Sequence, residues 1–327
     1  MIVLTGVAGY IGSHVCKLLL DLGQQVVAID NFSTGRREFI DSRADFFEGS
    51  VQDADFISSI FEKYKTIGIQ GVIHISGLKF AGESVINPLA FYENNASSTQ
   101  VLLSAMKEFG VTNLVFSSSC SVYGDSVNKL PVSESSALEP VSPYGRSKLF
   151  SELMIRDAYA VGLVKPISLR YFNVAGGTPG VSADFSKYNL LPNLYRSITM
   201  NREFNLFGDA FETPDGTCVR DYLDVQLLAG AHITALQQLI EGKVTKLEYN
   251  LGSGRGHSVK EIIQAVSRVT NFEPKIKVVA SREGDPAYIT ADIHSAAHDL
   301  KWEHNKTIEE IVQSGWEAWN SFRGLWD

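Results

Sequence analysis

The chain has 327 residues, 44% hydrophobic and 20% charged, with a formal net charge of −8. That acidic balance, with no basic run, argues against nucleic acid and anionic membrane as partners, and no apolar stretch approaches the ~20 residues that a membrane span requires. Cys16, Cys120 and Cys218 are widely spaced, show neither a C-x-x-C pair nor an even framework, and read as reduced thiols.

Taken in order, apolar runs predict strands at 2–5, 25–29, 44–48, 71–75, 113–117, 166–171 and 247–251. Helical periodicity falls at 10–22, 53–64, 88–109, 143–161, 222–241, 258–269 and 307–320. Strands alternating with helices predict an α/β fold, a Rossmann-type doubly wound parallel sheet. The chain enters its first strand at once, which reads as no secretory leader and places it in the cytoplasm.

That strand runs into Thr5-Gly6-Val7-Ala8-Gly9-Tyr10-Ile11-Gly12, a G-x-x-G-x-x-G turn opening a helix. Glycines let backbone amides approach a pyrophosphate at a helix N-terminus. The second strand ends in Asp30, where a carboxylate accepts from an adenosine ribose 2′-hydroxyl and repels a 2′-phosphate. NAD is therefore expected over NADP, with Arg36 and Arg37 close behind keeping NADP open.

The fifth strand runs into Ser117-Ser118-Ser119-Cys120-Ser121, which puts hydroxyls at its carboxyl end. Tyr144 and Lys148 follow, four apart and so on one helix face. A Lys ammonium there would stabilise a phenolate that otherwise forms near pH 10, giving a general base for a sugar or alcohol hydroxyl. Beyond Asn173 the pattern loosens into Gly- and Pro-punctuated loops, read as a smaller C-terminal substrate-binding domain. The expected division is 1–172 for NAD and mainly 173–327 for substrate, with the chain rejoining the sheet near 219–252. His294 and His298 are spaced i, i+4 near Asp292, but no H-E-x-x-H pattern exists and this face reads as solvated helix, with no metal expected.

Together, the glycine turn, Ser119 and the Tyr144-x-x-x-Lys148 pair resemble the extended, sugar-nucleotide branch of the short-chain dehydrogenase/reductase superfamily. The likeness sharpens through His74-Ile75-Ser76-Gly77-Leu78-Lys79, Gly82-Glu83-Ser84, Arg170-Tyr171-Phe172-Asn173, Val219-Arg220-Asp221-Tyr222, Tyr249-Asn250-Leu251-Gly252 and Arg282-Glu283-Gly284-Asp285. These blocks fall in the order seen in the UDP-glucose 4-epimerase family. Ser50 departs from that pattern, standing where an Asp that contacts adenine is expected.

The resemblance implies a catalytic triad of Ser119, Tyr144 and Lys148. For NAD it implies Gly6, Gly9, Tyr10, Ile11, Gly12, Asp30, Asn31, Ser50, Val51, Ile75, Ser76, Gly77, Lys79, Asn94 and Phe172, with the triad. For a UDP-sugar it implies Lys79, Ser119, Tyr144, Asn173, Asn189, Leu190, Asn205, Leu206, Phe207, Arg220, Arg282, Asp285 and Tyr288. Arg220 and Arg282 would hold the diphosphate, and Tyr288 would crowd the sugar C2 substituent and exclude N-acetyl sugars. The implied reaction is interconversion of UDP-galactose and UDP-glucose through a 4-keto sugar, in galactose metabolism. Epimerisation of another UDP-sugar, a 4,6-dehydratase and a catalytically dead NAD-binding protein are the alternatives. The helices at 88–109 and 143–161 resemble those of the family's dimer interface, which implies a homodimer.

Overall fold

The computed structural model describes residues 1–124, 131–282 and 286–326. Its strands, in chain order, are β1 (Ile2–Thr5), β2 (Val26–Asp30), β3 (Asp45–Glu48), β4 (Gly71–His74), β5 (Asn113–Ser119), β6 (Lys165–Tyr171), β7 (Asn173–Ala175), β8 (Gly177–Thr178), β9 (Ser182–Ala183), β10 (Glu203–Phe207), β11 (Val219–Asp224), β12 (Glu248–Leu251), β13 (Gly256–Ser258), β14 (Lys275–Val279) and β15 (Tyr288–Ile289). The helices are α1 (Tyr10–Asp21), α2 (Ala54–Tyr64), α3 (Ala81–Ile86), α4 (Pro88–Phe91), α5 (Ser98–Phe109), α6 (Pro143–Ala160), α7 (Leu190–Thr199), α8 (Val225–Ile240), α9 (Val259–Thr270), α10 (His294–Asp299) and α11 (Ile308–Ser321).

All four residues of β1 are buried, because its two faces meet two different cores. Ile2 and Leu4 pack with Val15 and Leu19 of α1 and Leu228 of α8; Val3, pointing the other way, packs with Ile57 of α2, Leu102 of α5 and Ile155 of α6. A strand buried on both faces reads as an unbroken apolar run and belongs to a parallel sheet. Seven strands form that sheet in the order β12-β6-β5-β4-β1-β2-β3, every neighbouring pair parallel.

The carboxyl ends of β1 and β4 lie side by side, with Thr5 opposite His74. The order turns outward on either side of this pair, the place where such sheets bind ligands. Of the expected return to the sheet, Glu248–Leu251 does join, beside β6, with Glu248 opposite Ser168. Val219–Asp224 instead belongs to a small separate sheet, β13-β11-β15 with β7 on β11. A third core lies among α7, β10, α9 and α11, around Leu194, Leu206, Ile262 and Trp319.

Two predicted helices differ. The 222–241 segment starts as strand, and α8 begins only at Val225, because the Asp224 carboxylate caps it by accepting from the amides of Gln226 (2.9 Å) and Leu227 (3.2 Å). The 88–109 segment is α4, a π-helical turn over Tyr92–Ser97, and α5. The wide turn sets buried Asn95 against the chain at Leu78, whose N–H it accepts from (2.8 Å) and whose carbonyl it donates to (3.0 Å). Such π turns concentrate at functional sites.

Candidate active site

The glycine turn between β1 and α1 is shaped by contacts that a side chain would prevent. Gly6 has φ +78°, and a β-carbon there would lie 2.7 Å from the Ser76 nitrogen. A β-carbon on Gly12 would lie 1.9 Å from the Gly6 carbonyl oxygen. The chain therefore passes close to the start of a twelve-residue helix, whose first amides can receive an anion. Asp30, buried at the end of β2, accepts from the amides of Ala8 (2.9 Å) and Phe32 (2.8 Å). Burial raises its pKa, and those amide bonds work the other way.

A single cleft is lined by this turn, Asp30, Asn31, Ser50, Val51, Ile75, Ser76, Gly77, Lys79, Asn94, Tyr144 and Lys148. Glycine cradle, terminal carboxylate and helix N-terminus together fit a dinucleotide. Ser50, where an acid was expected, uses its hydroxyl locally, accepting from the Gln52 amide at 3.3 Å. Arg37 is drawn away to Glu48, with contacts of 2.7 and 2.8 Å, while Arg36 lines the cleft and lies 4.7 Å over the Phe185 ring.

Tyr144 and Lys148 sit on the first turns of α6, which Ser142 caps by accepting from the Gly145 amide at 3.1 Å. Ser84 accepts from the Tyr144 amide at 3.0 Å and so fixes the end of the helix. The proton chemistry departs from the expectation. Burial dominates at Tyr144 and pushes the phenol up to about 12; a Ser119 hydrogen bond lowers it and the Cys120 thiol raises it. The Lys148 ammonium turns instead to the Ser117 carbonyl, 2.9 Å away, and lies 4.9 Å over the Phe116 ring. Burial lowers Lys148 to about 8, with Glu152 opposing.

This arrangement sits in a chain whose residues 2–252 match the NAD dependent epimerase/dehydratase family. The chain belongs to that family. A UDP-glucose 4-epimerase of Lacticaseibacillus casei is 37% identical over 320 residues, covering 96% of this chain and 95% of the relative. The crystal structure of UDP-glucose 4-epimerase from Brucella ovis in complex with NAD superposes with a TM-score of 0.90 at 36% identity, covering 96% of each chain. That of the Bifidobacterium longum enzyme in complex with NAD+ and UDP gives 0.90 at 32% identity, covering 98% of each.

Within this family member the residues assigned to the sugar nucleotide are less gathered than those assigned to the cofactor. Lys79 is in the cleft, 3.8 Å from Asp184. Asn189 donates to the other Asp184 oxygen at 2.6 Å and so supports the cleft wall from behind. Asn173 ties β7 to β11 by donating to the Asp221 carbonyl at 3.2 Å. The Arg220 charge acts on Cys120, next to Ser119, and Arg282 lies 3.9 Å over the Phe207 ring. Asp285 lies outside the described residues.

Four assigned side chains lie away from the cleft. Phe172 is buried in the core, and its neighbour Tyr171 lines the cleft instead, because successive residues of extended chain face opposite sides. The same alternation in β10 sends Leu206 into the third core and leaves Asn205 and Phe207 outward. Leu190, at the start of α7, packs against that core as well. Tyr288 borders a separate hollow with Glu212, Thr213 and Pro214 and does not line the Tyr144 cleft. Sequence reasoning also missed Ala183–Tyr188, whose Phe185 and Tyr188 wall the cleft. The only signal there was two aromatics in a polar loop. His298 is exposed and pairs with Asp299 at 2.6 Å, and no group of three metal-ligating side chains occurs among the described residues.

Proposed function

We propose that this chain interconverts UDP-galactose and UDP-glucose by inverting C4 of the hexose, with NAD held in the glycine cradle. The observation that carries the reading is one cleft containing both the cradle and the Tyr144–Lys148 face. When bound, NAD supplies the two-electron acceptor and donor that turn the C4 alcohol into a ketone and back. Tyr144 Oη, as phenolate, takes the proton of the sugar 4-hydroxyl and later returns it, with the Ser119 hydroxyl as its hydrogen-bond partner. The buried phenol ionises too high to do this alone, so positive charge in the cleft is required. Lys148, one turn along the same helix, would supply it.

Residues 173–327 are assigned mainly to the UDP-sugar, with Arg220 and Arg282 assigned to its diphosphate and Asn173 to a phosphate or sugar oxygen. Inversion needs the 4-keto sugar to present its other face, so a loose grip on the hexose suits it. Exposed Phe150 and Leu153 on α6, with Phe150 against Tyr92, support a homodimer through this helix. No helix of the described residues is long and apolar enough to cross a membrane, and we place the activity in the cytoplasm.

Purified protein incubated with UDP-galactose should form UDP-glucose with no net consumption of added NAD. Absence of conversion in protein that carries NAD would overturn the assignment. Light scattering at the mass of one chain would overturn the dimer.

A further inference from the structure

Beneath the cleft runs a buried chain of polar groups that the proton chemistry at Tyr144 does not itself use. Glu152 stands one turn beyond Lys148 on α6, and both are buried. One Glu152 carboxylate oxygen accepts from the Ser118 hydroxyl (2.5 Å) and Arg170 Nε (2.9 Å); the other accepts from an Arg170 terminal nitrogen (2.5 Å). Lys148 donates to the carbonyl of Ser117. Ammonium and carboxylate are thus anchored on successive residues of β5. Behind them Arg170 donates to the Tyr123 hydroxyl (3.0 Å), which donates to Asn250 Oδ1 (2.6 Å), and Asn250 donates to the Val132 carbonyl (2.7 Å). Charges alternate inward from the cleft: Lys148 positive, Glu152 negative, Arg170 positive.

A buried ion pair is weak evidence for stability, because packed apolar residues commonly do as well. This one has a specific use. We propose that Glu152, fixed by Arg170 and Ser118, is a positioning residue that keeps the buried Lys148 ammonium charged beside Tyr144. The inference rests on the functional reading above. Other groups face Lys148 without supplying negative charge at neutral pH. These are Tyr144 on its own helix, the Phe116 ring and Ser117 carbonyl of β5, and Asn95 beside Gly77. His74 of β4 faces it too, and burial pushes that imidazole down to about 3 and so holds it neutral. Burial disfavours the charged form of Lys148, and the carboxylate of Glu152, one turn along the same buried helix face, opposes it.

The test compares wild type, Glu152→Gln and Glu152→Asp. Gln keeps the shape and can still accept from Ser118, but removes the charge. Two quantities are read across pH 6–10: turnover of UDP-galactose, and the Lys148 13Cε chemical shift, assigned by its loss in Lys148→Met. In Glu152→Gln the Lys148 titration and the alkaline fall in turnover should both move down by about one to two pH units, while Glu152→Asp stays near wild type. If the Gln variant does not fold because Arg170 is left unpaired, Glu152→Gln/Arg170→Gln is read against Arg170→Gln, which keeps the carboxylate, and should show the same downward move. A Lys148 titration unchanged in the folded neutral variant overturns the inference. Wild type without turnover, but with Lys148 titration displaced in the variant, refutes the epimerase reading and leaves the role of Glu152 standing.

Discussion

Replacing Gly12 by alanine tests whether the cradle is a cofactor site. The added carbon would lie 1.9 Å from the Gly6 oxygen, 2.7 Å from the Gly6 carbonyl carbon and 3.0 Å from the Val7 Cα. All three are main-chain atoms, and Gly6 is itself backed against Ser76, so nothing can swing aside. Overpacking a tight site costs about 1–3 kcal/mol, and a clash against backbone falls at the upper end of that range. At about 1.4 kcal/mol per factor of ten, NAD affinity should fall by about 10²-fold. Gly9→Ala is the internal comparison. Its backbone is extended at φ −83°, and the new carbon meets only the Gly6 oxygen at 3.2 Å. A shift of a few tenths of an ångström accommodates it, so the loss should stay under about tenfold. Calorimetric titration of cofactor-stripped protein with NAD, on variants shown folded by circular dichroism, gives both numbers. Wild-type affinity in Gly12→Ala, or a larger loss in Gly9→Ala, would refute the reasoning.

Tyr144→Phe keeps the ring packed but removes the ionisable oxygen, so turnover should drop by about 10²–10⁴-fold with NAD still bound; near-normal turnover would make Tyr144 a core aromatic. If the cleft carboxylate of Asp30 meets the adenosine ribose, NAD should bind better than NADP in a direct competition, and a preference for NADP would reassign Arg36. Buried His74 is held neutral, its pKa pushed down to about 3 against 6.5 for the free side chain. The unfolded chain therefore takes up a proton below pH 6.5 that the folded chain refuses. This contribution is full above pH 6.5, shrinks as pH falls toward 3, and amounts to at most about 5 kcal/mol. His74→Gln should flatten the decline of Tm between pH 6.5 and 4, and an unchanged slope would reject that assignment.

How far the sequence carries the fold depends on the range of the forces involved. β1, β2, β4 and β5 carry apolar runs that need only burial on both faces, and these, with β6 and β12 despite buried Arg170 and Asn250, are legible within a residue or two. The Gly6–Gly12 turn and the Tyr144–Lys148 spacing were legible because they are local geometry. β7, β13 and β15 have only two or three residues each and exist through distant partners, Asn173 against Tyr222 and Val219 against Tyr288, so no local pattern announces them. The Lys148 ammonium was placed on the correct face, but its turn to Ser117 depends on where β5 lies. Tyr171 and Phe172 differ only in which side of the extended chain each faces, and Arg282 on Phe207 is a contact between two separate segments.

The late strand β12 has a consequence for how the chain is made. β6 has β5 on one side and β12 on the other, and residues 172–247 separate it from the second neighbour. During synthesis the growing molecule carries an unpaired parallel edge until residue 251 has emerged, an edge of the kind that recruits foreign strands. A fragment ending at residue 172 would keep that edge permanently, and would leave Asn250 missing from behind Tyr123 and Arg170. Dividing this enzyme into separately expressed halves should therefore yield aggregates, whereas a cut in the exposed 241–243 turn, with both pieces present, leaves each strand able to find its place.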